Sequence, residues 1–151
     1  VRINLVIIVN LDIMYYIKSI MKNTIFKILE YLYYFSLVSL FVLYLFPGSL
    51  IGYFLYGNFG QQPDLIPNPI GTSINHFISF ICLSSLAFIV RVREKKFINS
   101  FKFLFFISIL LEIFHYFIPN RAFEYYDLFA NLIGVIFAYL FIHLIIKIKI
   151  K

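Results

Sequence analysis

The chain is 151 residues long, the size of one small domain, but 62% of its residues are hydrophobic and only 13% are charged. Ordinary soluble domains carry about twice that share of charge, and a core this small could not hide so much apolar surface, so a water-soluble monomer is excluded. The net charge of +6, from 13 Lys+Arg against 7 Asp+Glu, reads first as a topology signal. No nucleic-acid-binding module accompanies it. The one cysteine, Cys82, lies inside an apolar run and excludes both an internal disulfide and a thiolate metal cluster.

Residues 1–20 open the chain with an apolar run, Leu5 to Ile17, that is broken by Asn10 and Asp12. At roughly 13 residues it is short for a span, so the segment reads as an N-terminal extension or an interfacial segment, with a fifth span as the alternative. No small-residue cleavage site follows it, which argues against a signal peptide. Residues 21–151 then read as an all-α, polytopic transmembrane bundle with four spans.

Span one runs from about Ile25 to Phe46 and stops at Pro47-Gly48; span two runs from about Ile74 to Val90. Span three runs from about Phe101 to Ile118, before Pro119, and span four from about Asp127 to Ile146. Each approaches the roughly 20 residues needed to cross about 30 Å of hydrocarbon. Twelve of the 13 basic residues fall on one side: Arg2, Lys18, Lys22, Lys27, Arg91, Arg93, Lys95, Lys96, Lys102, Lys147, Lys149 and Lys151. Only Arg121 falls on the other. Positive charge is retained on the cytoplasmic side, so both termini are expected there, with external loops at 57–71 and 119–126.

Polar groups within spans are costly and need a partner or a purpose. Ser108, Glu112 and His115 share one helical face, and Asp127, Asn131, Gly134 and Ala138 form a polar-then-small stripe on span four. On span two, Asn75, Ser79 and Cys82 share a face with His76 beside them. All sit in the external third of the bilayer, with Arg121 above them. Glu112 and His76 are the candidate catalytic acid and base. Arg121, His115, Asp127 and Asn131 are the candidate ligand-binding residues, with Arg121 or a protonated histidine as counter-ion to Glu112. The structural alternative gives Asn131, Asn75 and Ser79 to interhelical hydrogen bonding, Asp127 to an N-cap and Arg121 to a headgroup anchor. His143, at the other end, reads as structural. Glu112 and His115 match the Glu-x-x-His pair of di-iron bundles, but the further glutamates are missing at depth, so no metal and no cofactor is expected.

The string Glu112…Pro119-Asn120-Arg121…Asp127…Asn131…Gly134 closely resembles the signature of VanZ-like membrane proteins. His76 with Phe80 behind it resembles the family's entry to the preceding span. The chain departs at His115, where many members carry Gln, and at Ser73-Ile74-Asn75, where many carry Asp-Lys. The resemblance covers residues 30–145 and implies a VanZ-like four-helix membrane domain in the bacterial cytoplasmic membrane. It links the chain to a family named for low-level teicoplanin resistance, without naming a reaction. Three functions are weighed: binding or modifying a lipid or lipid-linked cell-wall precursor at the external face; a non-enzymatic scaffold for other membrane proteins; and a small transporter subunit. The expected partners are the bilayer, such a lipid, and other membrane proteins.

Overall fold

The computed structural model describes residues 23–63 and 71–148. The N-terminal segment 1–20, the basic residues Arg2, Lys18, Lys22, Lys149 and Lys151, and the middle of the long external loop lie outside the described residues. Every element described is helical: α1 (Asn23–Leu45), α2 (Leu50–Tyr56), α3 (Gly71–Arg91), α4 (Phe101–Phe114) and α5 (Tyr125–Ile148), with a 3₁₀ turn at Phe97–Asn99. Three stretches are long and apolar enough to cross a membrane: Thr24–Leu45, Ser73–Arg91 and Tyr125–Ile145, of 22, 19 and 21 residues.

The expected third span is shorter than its hydropathy suggests. Helix α4 has 14 residues, about 21 Å at 1.5 Å per residue, which falls short of the hydrocarbon thickness. The cause is Pro119, which disfavours helical backbone at Ile118. Ahead of it the chain tightens into i→i−3 bonds, from His115 N–H to Glu112 O, Tyr116 N–H to Ile113 O and Phe117 N–H to Phe114 O. Asn120 then takes a left-handed conformation, φ 60°, and turns the chain toward α5.

The bundle buries its intramembrane polar side chains beside an apolar core and leaves many large apolar side chains on its outside. Along α5, Asp127, Asn131, Gly134, Val135 and Ala138 are buried, whereas Phe129, Ile133, Phe137, Leu140, Phe141 and Leu144 are exposed. The sidedness suits lipid, because an exposed Phe or Leu is favourable only in an apolar solvent. Helix α3 buries His76, Phe80, Leu83 and Ala87, at i, i+4, i+7 and i+11. The inward stripe therefore starts one residue after the expected one. Asn75 reaches sideways to Pro63 O at 2.7 Å, and Cys82 faces outward.

Helices α3 and α5 share the largest interface. Gly134 makes it possible, since a Cβ there would stand 2.8 Å from Phe77 O and 3.0 Å from Phe80 Cβ. At the opposite end Lys96 pairs with Glu94 at 2.8 Å and with Glu30 of α1 at 3.4 Å. Arg93 lies over the Phe26 ring, and the Tyr33 hydroxyl donates to Ile98 O. The loop from α3 to α4 is thereby tied to the start of α1.

Helix α2 was not anticipated. Ser49 caps it by accepting from Gly52 N–H at 2.9 Å, and Gly57, φ 69°, closes it in the left-handed region with its N–H on Tyr53 O. The following residues fold back over it: Ser49 N–H donates to Phe59 O at 2.7 Å, and the Tyr53 and Phe59 rings stack 4.2 Å apart. The helix carries no charge and leaves Phe54 82% exposed, as fits a segment lying against lipid.

Candidate functional site

The C-terminal ends of α1 and α4 and the N-terminal ends of α3 and α5 meet at one depth, and there the polar residues assemble. Glu112 is fully buried. Its Oε1 accepts from Glu124 N–H at 3.1 Å and lies 3.2 Å from His115 Nδ1. Its Oε2 accepts from Asn131 Nδ2 at 3.4 Å and lies 3.7 Å from His76 Nδ1. The Asp127 carboxylate accepts from the Ser73 hydroxyl with Oδ1, and its Oδ2 lies 3.4 Å from His76 Nε2.

Two of the expected roles change. Arg121 does not pair with Glu112: Nη2 donates to Leu43 O at 2.7 Å and Nε to Phe46 O at 3.3 Å. It thus satisfies two of the carbonyls left bare at the end of α1, where the helix dipole favours a cation. Burial draws its pKa down from the ordinary value, opposed by Tyr44, Glu112 and Asp127. Asp127 occupies the third position of α5 and spends its side chain on Ser73 and His76 of α3, not on a cap of its own helix.

The residue sequence reasoning missed is Tyr44, which joins the two halves of the cluster. Asn131 Nδ2 points at two acceptors, Ser108 O and Glu112 Oε2, so its Oδ1 faces Tyr44, whose hydroxyl donates to it at 2.9 Å. With that proton committed, the Tyr44 oxygen can only accept from His76 Nδ1, also at 2.9 Å. His76 therefore carries hydrogen on Nδ1. His115 is fixed by the same residue: Nε2 lies 3.2 Å from Tyr44 O, a pure acceptor, so that nitrogen carries hydrogen. The His115 ring stacks on the Tyr44 ring at 5.7 Å. Tyr44 sits in the last turn of α1 among 12 tyrosines, and no spacing marks it out.

Beside this network lies a cavity of about 380 Å³. Leu43, Leu50, Ile51, Leu55 and Ile78 form its apolar wall, with α2 as one side; His76, His115 and Arg121 face it together with Tyr44, Asn75 and Ser79. Glu112, Asp127 and Asn131 stand behind the histidines and do not line it. The candidates from sequence thus divide into a lining layer of His76, His115 and Arg121 and a backing layer of Glu112, Asp127 and Asn131. His76, Glu112 and Asp127 each offer one ligand atom within 4.8 Å of the others and could hold a metal ion together. His143 lies apart at the other end of α5, near Tyr139 O.

Compared with family models, with curated proteins and with solved structures, the chain matches none.

Proposed function

We propose that the chain is a VanZ-like integral protein of a bacterial cytoplasmic membrane that binds an amphiphile, a lipid or lipid-linked cell-wall precursor, in the cavity beside the buried cluster. The observation that carries this reading is the two-sided lining of that cavity. Leu43, Leu50, Ile51, Leu55 and Ile78 suit an acyl or prenyl chain, and His76, His115 and Arg121 suit an anionic headgroup. No Asp or Glu is among the lining residues.

In this reading α4 is the third of four crossings, with the tight turns after Phe114 completing its path. The termini are cytoplasmic, because Lys27, Arg91, Arg93, Lys95, Lys96 and Lys102 gather at the end opposite the cavity. Single cysteines at the exposed positions Asn58 and Lys95, in a Cys82→Ser background, should react with an impermeant maleimide in intact cells and only after permeabilisation, respectively. The reverse pattern would put the cavity on the cytoplasmic side and overturn the orientation.

Ligand binding is tested by native mass spectrometry of the purified protein with phosphatidylglycerol, a polyprenyl phosphate and phosphatidylcholine. Preferential retention of the anionic amphiphiles is expected. Ser79→Phe, which fills the cavity, should lower retention by at least about tenfold, the effect of losing roughly 1.4 kcal/mol of contact. Arg121→Lys, which keeps the charge and loses the fork, should weaken the phosphate headgroups selectively. Retention unchanged in both variants would leave the scaffold reading, which the mutual pairing of the buried cluster favours.

A further inference from the structure

We propose that His76, Asp127 and Glu112 form a binding site for a divalent transition cation, of the Zn²⁺ or Mn²⁺ type, one per chain. The inference goes beyond the amphiphile reading and stands whatever occupies the cavity.

Three features of the chain point to it. The first is a donor atom with nothing to donate. His76 carries its hydrogen on Nδ1 for Tyr44, which leaves a lone pair on Nε2, and that lone pair is directed at Asp127 Oδ2, another lone-pair donor, 3.4 Å away. Among the described residues neither atom takes part in a hydrogen bond. His76 is 8% exposed and Asp127 5%, so two lone-pair donors face each other in a mostly buried place, an arrangement that a positive centre between them would stabilise. A second proton on His76 would supply one, but a charge-assisted N–H···O bond closes to about 2.7–2.9 Å. Two ligands of a tetrahedral ion, each about 2.0–2.1 Å from it, stand about 3.3–3.4 Å apart. The observed separation is that of shared ligands.

The second feature is the orientation of the carboxylates. Each has one oxygen tied back and the other turned toward His76. Asp127 Oδ1 is tied by the Ser73 hydroxyl, and Glu112 Oε1 by Glu124 N–H. Asp127 Oδ2 lies 3.4 Å from His76 Nε2, and Glu112 Oε2, which also accepts from Asn131 Nδ2, lies 3.7 Å from Nδ1 of the same ring, with one ligand atom from each of the three residues within 4.8 Å of the others. This is the outer-shell pattern that orients metal ligands, and the Tyr44 contact to His76 Nδ1 completes it by fixing the tautomer.

The third feature is charge and access. Two carboxylates and a neutral imidazole balance one divalent ion, so occupation leaves the triad neutral inside the bundle. One nitrogen and two oxygens form a set suited to Zn²⁺ or Mn²⁺. Of the three residues only His76 lines the cavity, so an ion would reach the triad from that side. The absence of thiolates and of further buried glutamates, which argued against metal from the sequence, bears on thiolate and di-iron centres and not on a mononuclear N,O,O site.

The test uses the full chain, purified in detergent, stripped with EDTA and exposed separately to Zn²⁺, Mn²⁺ and Co²⁺ in the absence of added lipid. Metal analysis after gel filtration should find one equivalent of Zn²⁺ or Mn²⁺ per chain, and Co²⁺ should give visible d–d absorption of an N,O-ligated ion. His76→Gln and Asp127→Asn should abolish both signals, and His143→Gln should change neither. Ser73→Ala, which touches no ligand atom directly, should weaken binding about 10–100-fold; it keeps the test decisive if the ligand variants fail to fold. Less than about a tenth of an equivalent of all three ions in the wild type, or full binding in Ser73→Ala and His76→Gln alike, would overturn the proposal. Lipid retention measured in EDTA is a separate readout, so failure here and failure of the amphiphile reading are distinguishable.

Discussion

Gly134→Ala is expected to destabilise the bundle by about 1–3 kcal/mol and Gly134→Leu to prevent its assembly. Two effects compete at this position. Alanine is the better helix former by about 0.8–1.0 kcal/mol, which alone would raise stability. Against it, the new methyl would stand 2.8 Å from Phe77 O, 3.0 Å from Phe80 Cβ and 3.3 Å from Ile81 N. Two of those three atoms are backbone, so no rotamer change relieves the contact, and α3 has to move away from α5. That displacement loosens the largest interface in the protein and shifts His76 relative to Asp127, so packing outweighs propensity. Gly60 supplies the control: its Cβ would meet only Asn58 Oδ1 at 3.4 Å, and Gly60→Ala should stay within about 0.5 kcal/mol of wild type. Thermal unfolding in a fixed detergent, followed by circular dichroism, measures all three. A neutral or stabilising Gly134→Ala would mean that the two helices do not approach this closely.

Gly134 also shows what can be read from a linear pattern. The stripe Asp127, Asn131, Gly134, Ala138 is polar and small at helical spacing in an otherwise apolar run, and an apolar solvent makes such a stripe the inside of the bundle. The structure buries all four. Ser108, Glu112 and His115 follow the same logic. On α3 the logic failed, because two adjacent faces were polar: Asn75, Ser79 and Cys82 competed with His76, and only the large residues beneath His76, Phe80 and Leu83, decide which face packs. Hydropathy marked Phe101 to Ile118 as one apolar run but not the shorter helix within it, which is not among the three helices long and apolar enough to cross a membrane; the residues before Pro119 are apolar but not helical. Helix α2 was legible in principle: Ser49 and Gly57 are the capping residues of a short helix, yet seven apolar residues between them look like loop when spans are sought. Tyr44 was not legible. Its role depends on four helix ends meeting, and nothing within α1 records that.

Replacement of Glu112 should give the largest loss among the polar residues, and its pattern of coupling identifies the true partners. In the metal-free protein, Glu112→Ala strands Glu124 N–H and Asn131 Nδ2, which donate to Glu112 at 3.1 and 3.4 Å, and removes the carboxylate packed 3.2 Å from His115 Nδ1. Leaving buried polar groups without partners in this way is expected to cost about 3–5 kcal/mol. Glu112→Gln should cost less, because the amide oxygen can still accept from Glu124 N–H and the side chain still fills the space, leaving only the Asn131 contact at the other oxygen lost. The double-mutant cycle is the sharper measurement. Glu112→Gln and His115→Gln remove two ends of one contact, so their effects should fall short of additivity by about 0.5–3 kcal/mol. Glu112→Gln and Arg121→Gln should add to within about 0.5 kcal/mol, because the guanidinium is engaged with Leu43 O and Phe46 O at the end of α1. Arg121→Gln alone should still cost about 1.5–3 kcal/mol for those charged hydrogen bonds. Strong coupling of Glu112 to Arg121, with none to His115, would contradict this arrangement and restore the ion pair that charge alone suggested. The distinction bears on function. A guanidinium held by main-chain carbonyls keeps its remaining N–H groups and its charge for an anion in the cavity, whereas one neutralised by Glu112 does not.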